Sequence, residues 1–294
     1  MTAIIFGING QDGFYLKSIL ERHQHTVYGV SRSAGNHVAG DVSDYKFVES
    51  LVKEHRPDYI FHLAANSSTR HEVLFENHQT ISTGAVNILE AVFRYSPQTK
   101  VFLSGSGLQF VNTGKPIKET DEFAANNIYA VERIYTTYAA RYFRQKGIET
   151  YVGYFFHHDS PLRPERHLNM HIIKTGLKIK QGQGGMLEIG NPHVIKEYNF
   201  AGDMMEAIWC LVQQNKVYET VIGSGNGHSI MEWINICSEI LEVPLNNFVT
   251  IRENYKAEFD ALVSDPSTIR SLGWKPEYSI TTLAQLMVQA AKKG

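Results

Sequence analysis

At 294 residues, with 43% hydrophobic and 20% charged, the chain can build one large domain or two smaller ones around a sizeable core. Its formal net charge of -2 excludes a strongly basic nucleic-acid-binding surface, while leaving room for a local basic pocket that takes a phosphate-bearing ligand. Two cysteines, Cys210 and Cys237, are too few for a disulfide framework and read as buried free thiols. No run reaches the roughly 18 apolar residues of a membrane helix. Met1–Phe6 carries neither a charged n-region nor a cleavage site. A cytoplasmic protein with no membrane or nucleic-acid partner is expected.

Ala3–Phe6 predicts a short buried strand and Gln11–His23 a helix. Between them Gly7, Gly10 and Gly13 form GxxGxxG at a strand-to-helix turn. Gly7 would permit the tight turn, Gly10 the close approach of backbone amides to a pyrophosphate, and Gly13 helix-to-strand packing. Free N–H groups at the helix start, at Gln11 and Asp12, then face the phosphates. The second strand, Thr26–Val30, runs into Ser31-Arg32-Ser33, where an NAD site usually carries an acid. Arg32 beside two hydroxyls suits a 2′-phosphate, so NADP is expected ahead of NAD. Asp41-Val42, after a further short strand, is placed to cover the adenine ring.

Asp44–His55 predicts a helix, Asp58–Ala64 a third strand, and His78–Ser96 a long helix. Leu63, Ala64 and Ala65, at the end of that strand, are expected along the cofactor. Lys100–Ser104 is another strand, Tyr129–Gly147 a long helix, and Thr150–Phe156 the strand after it. The alternation implies a doubly wound parallel sheet covered on both faces, an α/β Rossmann-like domain over residues 1–158. Beyond His158 the chain turns irregular, with Pro161, Pro164, the QGQGG turn at 181–185 and Pro192. Residues 159–294 therefore form a smaller α/β substrate domain, with segments returning to the main sheet. Thirteen histidines invite a metal site, but there is no HExxH and no Cys-x-x-Cys. In the one local cluster, His157-His158-Asp159, neighbours on an extended segment face opposite ways, so no metal is expected.

A dehydrogenase of this build needs a proton donor beside the reacting carbon, and a tyrosine serves when a cation stabilises its anion. In NNIYAVERIY, Tyr129 opens a helix and Arg133 lies four residues later on the same face. Ser106, in FLSGSGLQF, lies 23 residues upstream of Tyr129. The pattern resembles the Ser, Tyr-x-x-x-Lys constellation of the short-chain dehydrogenases/reductases, with arginine in place of lysine. Arginine keeps the charge and can donate to ribose hydroxyls, but it is bulkier, planar and never neutral.

GINGQDGFYL, PDYIFHLAANSS, FFHHDSPLR, IGNPHVIKEYNFAGDMMEAIW and SDPSTIRSLGWKP resemble, in this order, stretches of the GDP-mannose 4,6-dehydratases, where Gln-Asp between the last two glycines is characteristic. The resemblance runs almost end to end. It implies an NADP-binding Rossmann domain and a C-terminal domain holding a GDP-sugar. It also implies assembly as a homodimer or homotetramer through the two long helices, and the second of these carries Tyr135, Tyr138, Tyr142 and Phe143.

Departures from that pattern carry as much information. The family's proton-carrying glutamate, two residues after the catalytic Ser/Thr, is Leu108 here; its asparagine before His-Glu-Ser-Pro is His157. A phosphate-gripping arginine is Lys196, and another is Tyr255; Arg163 and the ribose-contacting Glu258 are retained. Leucine carries no proton, so the resemblance and the departure together favour a NADPH-dependent reduction of a GDP-linked 4-keto-6-deoxy sugar at C4, with Ser106, Tyr129 and Arg133 as the catalytic group. A 4,6-dehydratase with His157 or Asp159 as substitute acid, an epimerase, and a cofactor-binding relative without turnover remain the alternatives.

Overall fold

The computed structural model describes every residue except Ala34, Ser67 and Gly294. Its first half alternates strands and helices: β1 (Thr2–Phe6), α1 (Gln11–Arg22), β2 (Thr26–Ser31), β3 (Val38–Ala39), α2 (Tyr45–His55), β4 (Tyr59–His62), a single turn α3 (Leu74–Asn77), α4 (Gly84–Tyr95), β5 (Lys100–Ser106), α5 (Ile128–Gln145) and β6 (Thr150–Phe155). The second half is built of shorter pieces: β7 (His158–Asp159), α6 (Leu168–Lys180), β8 (Leu187–Ile189), β9 (Ile195–Glu197), β10 (Asn199–Phe200), α7 (Ala201–Val212), β11 (Glu219–Ile222), β12 (Gly227–Ser229), α8 (Ile230–Leu241), β13 (Val249–Ile251), β14 (Ala261–Leu262), α9 (Ser267–Ser271) and α10 (Ile280–Ala291).

Seven of these strands form one parallel sheet in the order β3-β2-β1-β4-β5-β6-β11. The order reverses between β1 and β4, which opens a crevice at the strands' C-terminal ends. Both faces of the sheet are apolar, as a doubly covered parallel sheet requires. Ile4, Phe6, Ile60, Val101 and Val152 pack with α2, α4 and α5 on one face. Ala3, Ile5, Phe61, Phe102 and Tyr151 pack with α1 and α7 on the other. A third core around Trp233, Ile173, Leu187 and Met287 lies beneath α6, α8 and α10. The seventh strand comes from beyond residue 158: β11 pairs with β6.

Two stretches that carry the family resemblance meet here. The Asp203 carboxylate of NFAGD accepts from the amides of Glu277 and Tyr278 at 2.9 Å each. Trp274 of LGWKP donates through Nε1 to the Asp203 carbonyl at 2.9 Å. Those motifs fasten α7 to the approach to α10. Cys210 and Cys237 are free thiols on α7 and α8, the second fully buried and the first partly.

The predicted helix 78–96 is interrupted. Residues His78–Thr83 form a wide π turn, and regular helix begins at Gly84. The buried His62 ring donates through Nε2 to the Thr80 carbonyl at 3.0 Å, drawing it off the regular ladder. The predicted third strand stops at His62, two residues short of Ala64, while β5 extends two residues past Ser104 to Ser106.

Candidate active site

At the end of β1 the chain turns on Gly7, whose φ of +97° lies in the left-handed region. A Cβ there would sit 2.7 Å from the Ala64 amide nitrogen, so the backbone just after β4 also demands glycine. Gly13 lets α1 close onto the Gly7-Ile8 backbone, where a Cβ would lie 2.7 Å from the Ile8 Cα. Gly10 caps α1 with no side chain of its own, leaving the first amides of the helix open toward the crevice. These glycines and helix start form a cradle that fits a dinucleotide's pyrophosphate.

A cavity of about 210 Å³ runs from this loop along the sheet edge. Gly7, Gly10, Leu63, Ala64 and Ala65 line one side, and Ser31, Arg32, Asp41 and Val42 the other. Arg32 is not free there: its Nη2 pairs with the Glu76 carboxylate at 3.1 Å. Asn9 donates to the hydroxyls of Ser31 at 3.2 Å and Ser33 at 2.7 Å. The Asp41 carboxylate serves its own turn, accepting from Ser43 N at 2.8 Å and Ser43 Oγ at 2.9 Å.

A second cavity, of about 450 Å³, shares Asn9, Gly10, Leu63 and Ala65 with the first and continues it. Ser106, Tyr129 and Arg133 meet in its wall. Asn127 caps α5 by accepting from Ala130 N at 2.9 Å, which fixes Tyr129 on the helix's first turn. Gln109 accepts from Ser106 N at 2.9 Å, while Ser106 Oγ accepts from Leu108 N at 3.2 Å. The Ser106 hydroxyl keeps its own proton available as a donor.

Arg133 is 3% exposed and lies under the Tyr129 ring, its Cζ 5.1 Å from the ring centre. Its Nη1 donates to Ser104 O at 2.5 Å and Ser104 Oγ at 2.9 Å. Its Nε has no partner, and no carboxylate pairs with it among the described residues. Burial, followed by the Arg133 charge, pushes the neighbouring His62 down to about 4, so that imidazole is neutral.

Opposite stands a connected polar array. His157 donates through Nδ1 to Glu197 O at 3.1 Å and accepts at Nε2 from Lys196 Nζ at 3.2 Å. Burial, then the Lys196 charge, holds His157 well below its ordinary value. Both ring nitrogens are occupied and the ring is neutral, so His157 is not placed to be an acid. Burial also lowers Lys196, to about 8. Asp159 accepts from Arg163 Nε at 2.5 Å and Asn169 Nδ2 at 2.6 Å. Burial opposes its charge, but the Arg163 and Lys196 cations beside it prevail and keep it below the usual carboxylate range.

The Gln-Asp pair between the last two glycines ties this array to the glycine loop. Ser160 Oγ donates to Gln11 Oε1 at 2.9 Å, and His158 Nε2 lies 3.1 Å from Asp12 Oδ1. Burial works against both charges, yet Asp12 raises His158 and His158 lowers Asp12. The two side chains thus bind protein, and only their backbone amides are left for a phosphate.

Two expected substrate contacts stand apart from the cavity wall. Tyr255 is half exposed and packs over Gly190, and Glu258 accepts from Thr69 Oγ1 at 2.8 Å. Residues not singled out in the sequence do line the cavity: Arg166, His167, Phe156, Phe259 and Leu262. Phe259 and Leu262 follow Glu258 closely, but no periodicity marks them. Leu108 completes an apolar wall with them beside Ser106.

A glycine loop under a reversed parallel sheet, with Ser, Tyr and a cation on one cavity wall, is the arrangement of the extended short-chain dehydrogenases/reductases. The chain belongs to the GDP-mannose 4,6 dehydratase family, whose pattern matches residues 4–287. It is 29% identical to GDP-mannose 4,6 dehydratase 2 of Arabidopsis thaliana over 97% of this chain and 85% of that protein. In fold it is similar to the UDP-glucose 4-epimerase of Thermotoga maritima solved with UDP-glucose, with TM-score 0.88 and 19% identity over 100% of this chain and 99% of that one. It is also similar to the RMD of Pseudomonas aeruginosa solved with NADPH, with TM-score 0.86 and 19% identity over 99% of both chains. Among the described residues no cluster suits a metal ion and no helix is long and apolar enough to cross a membrane.

Proposed function

We propose that this protein is a reductase of a GDP-linked 4-keto-6-deoxy sugar, acting at C4 with NADPH, in a cytoplasmic setting. The observation that carries the reading is the wall beside the Ser106–Tyr129 pair. It consists of Leu108, Phe156, Phe259 and Leu262 and offers no carboxylate two residues after Ser106. Such a wall favours a methyl group over a hydroxyl at the sugar's C6. His157, neutral and doubly bonded, does not stand in for the missing glutamate as the proton carrier of water elimination. The dehydratase reading has the family likeness in its favour and this wall against it.

The cofactor fit rests on the Gly7–Gly13 cradle, the open helix start and the unpaired Arg133 Nε. When bound, the reduced nicotinamide supplies the hydride. Ser106 donates a hydrogen bond to the sugar carbonyl oxygen, polarising it. Tyr129 gives its phenolic proton to that oxygen as negative charge develops. Arg133 holds the tyrosine face and keeps a fixed positive charge beside it. Lys196, Arg163 and Arg166 give the far end of the cavity the positive charge that a nucleotide diphosphate needs. The exposed Tyr135, Tyr138 and Tyr142 on α5, with Phe93 on α4, supply the apolar face for a homodimer or a larger assembly.

The test is loss of reduced-nicotinamide absorbance when NADPH meets GDP-4-keto-6-deoxymannose. Rapid oxidation that Tyr129→Phe slows by about 10²–10⁴, with NADPH binding intact, supports the reading. Tight NADPH binding without oxidation rejects this sugar.

A further inference from the structure

We propose that Glu76 sets the cofactor preference of this site by competing with a 2′-phosphate for Arg32, a proposal that rests on the reading of the glycine-loop cavity as a nicotinamide-dinucleotide site. Arg32 Nη2 lies 3.1 Å from Glu76 Oε1, and Asn66 Nδ2 donates to Glu76 Oε2 at 3.0 Å. The carboxylate is therefore held from two sides, and the Asn66 hydrogen bond followed by that from Arg32 keeps it below the usual glutamate range. Where this fold binds NAD, the selecting acid usually ends the second strand. Here β2 ends at Ser31 with Arg32 just after it, and the acid arrives from α3 instead.

The consequence is a graded preference. With a bare ribose hydroxyl bound, Arg32 stays satisfied by Glu76, and Asn9, Ser31 and Ser33 present amide and hydroxyl groups to the sugar. With a 2′-phosphate bound, Arg32 gains a better partner, but the Glu76 carboxylate is left facing a dianion. The Arg32 and Glu76 side chains are 58% and 40% exposed, so their pair separates at small cost. Glu76 thus narrows the advantage that Arg32 gives to NADPH over NADH. Asn66, which follows β4 by a few residues, fixes the carboxylate in its competing position.

The experiment measures dissociation constants of NADPH, NADH and adenosine 2′,5′-bisphosphate for the unmodified protein, Glu76→Gln, Arg32→Ala and the double variant. Glutamine keeps the shape of the side chain and can still accept from Asn66. Glu76→Gln should tighten NADPH and the bisphosphate by about 3–10-fold and leave NADH within about twofold. The gain should shrink in about 1 M salt and be smaller when Arg32 is alanine, where only the repulsion between Glu76 and the phosphate is relieved. An unchanged NADPH-to-NADH ratio, or an equal shift in both, overturns the proposal. If Arg32→Ala weakens the two dinucleotides alike, the 2′-phosphate assignment itself fails and takes the proposal with it. If neither dinucleotide binds the unmodified protein, the cofactor reading is what has failed.

Discussion

Arg133→Met should separate stability from activity at the centre of the site. Arg133 is 3% exposed with no carboxylate partner among the described residues. Its return comes from two charge-assisted hydrogen bonds to Ser104, about 1.5–3 kcal/mol each, and a cation–π contact of about 0.5–2 kcal/mol. Against these stands the desolvation of an unpaired cation, still several kcal/mol after relaxation. The terms are of equal size and nearly cancel. Ser104 Oγ is not orphaned by the change, because it still donates to His62 O at 3.0 Å. Methionine fills much of the same length without charge. Thermal unfolding of the free protein should therefore move by less than about 1 kcal/mol, or about 2–4 °C. NADPH-dependent turnover should fall by about 10²–10⁴, and the rise in melting temperature on adding cofactor should shrink. A loss of more than about 3 kcal/mol with activity retained would refute this reasoning and make Arg133 a structural anchor.

Leu108→Glu places a carboxylate in the apolar wall beside Ser106; reduction of the 6-deoxy sugar should drop at least about tenfold. An unchanged rate would mean that the wall does not face the sugar. Asp12→Asn removes the partner that raises His158 and that His158 in turn lowers. Stability from the raised imidazole is complete below its ordinary value of 6.5 and is lost as pH rises through the higher folded value. Stability from the lowered carboxylate is complete above 3.8 and is lost as pH falls through the lower folded value. The melting temperature of Asp12→Asn should therefore fall furthest below the unmodified protein's between those two values, and the gap should close in alkali; equal gaps at about pH 5 and pH 9 would contradict the ion pair. Tyr138→Glu should lower the apparent mass in sedimentation if α5 forms the homodimer face, and an unaltered mass would remove α5 from the interface.

What was legible in the sequence was whatever depends on near neighbours in the chain. The glycines announce themselves because the turn, the β4 approach and the helix contact each forbid a side chain within a seven-residue span. The strand-helix alternation follows from local period and charge, and it places Ser106, Tyr129 and Arg133 on one wall. The π turn at 78–83 was not legible, because its cause is His62 on a separate strand. The side-chain partners of Gln11 and Asp12 are not legible locally, because Ser160 and His158 fold back onto them from a distant segment. Phe259 and Leu262 escaped for the same reason: their place in the cavity depends on how a late, irregular segment crosses the first-half sheet.

The replacements form one consistent set when read through the geometry. Leucine at 108 removes a proton carrier from the sugar side, and His157 does not supply another, because Lys196 and the Glu197 carbonyl occupy both its nitrogens. Arginine at 133 keeps a fixed charge under the tyrosine and gives up the ability to exchange a proton at neutral pH. Leu108 and Arg133 thus take proton traffic out of the site, while on the proposed reading Ser106 and Tyr129 keep the one proton that a carbonyl reduction consumes. A site that eliminates water must both take and deliver protons at carbon and oxygen. A site that reduces a ketone needs a single donor held against a single oxygen, and it is on this lesser demand that the proposed reading of the wall around Tyr129 rests.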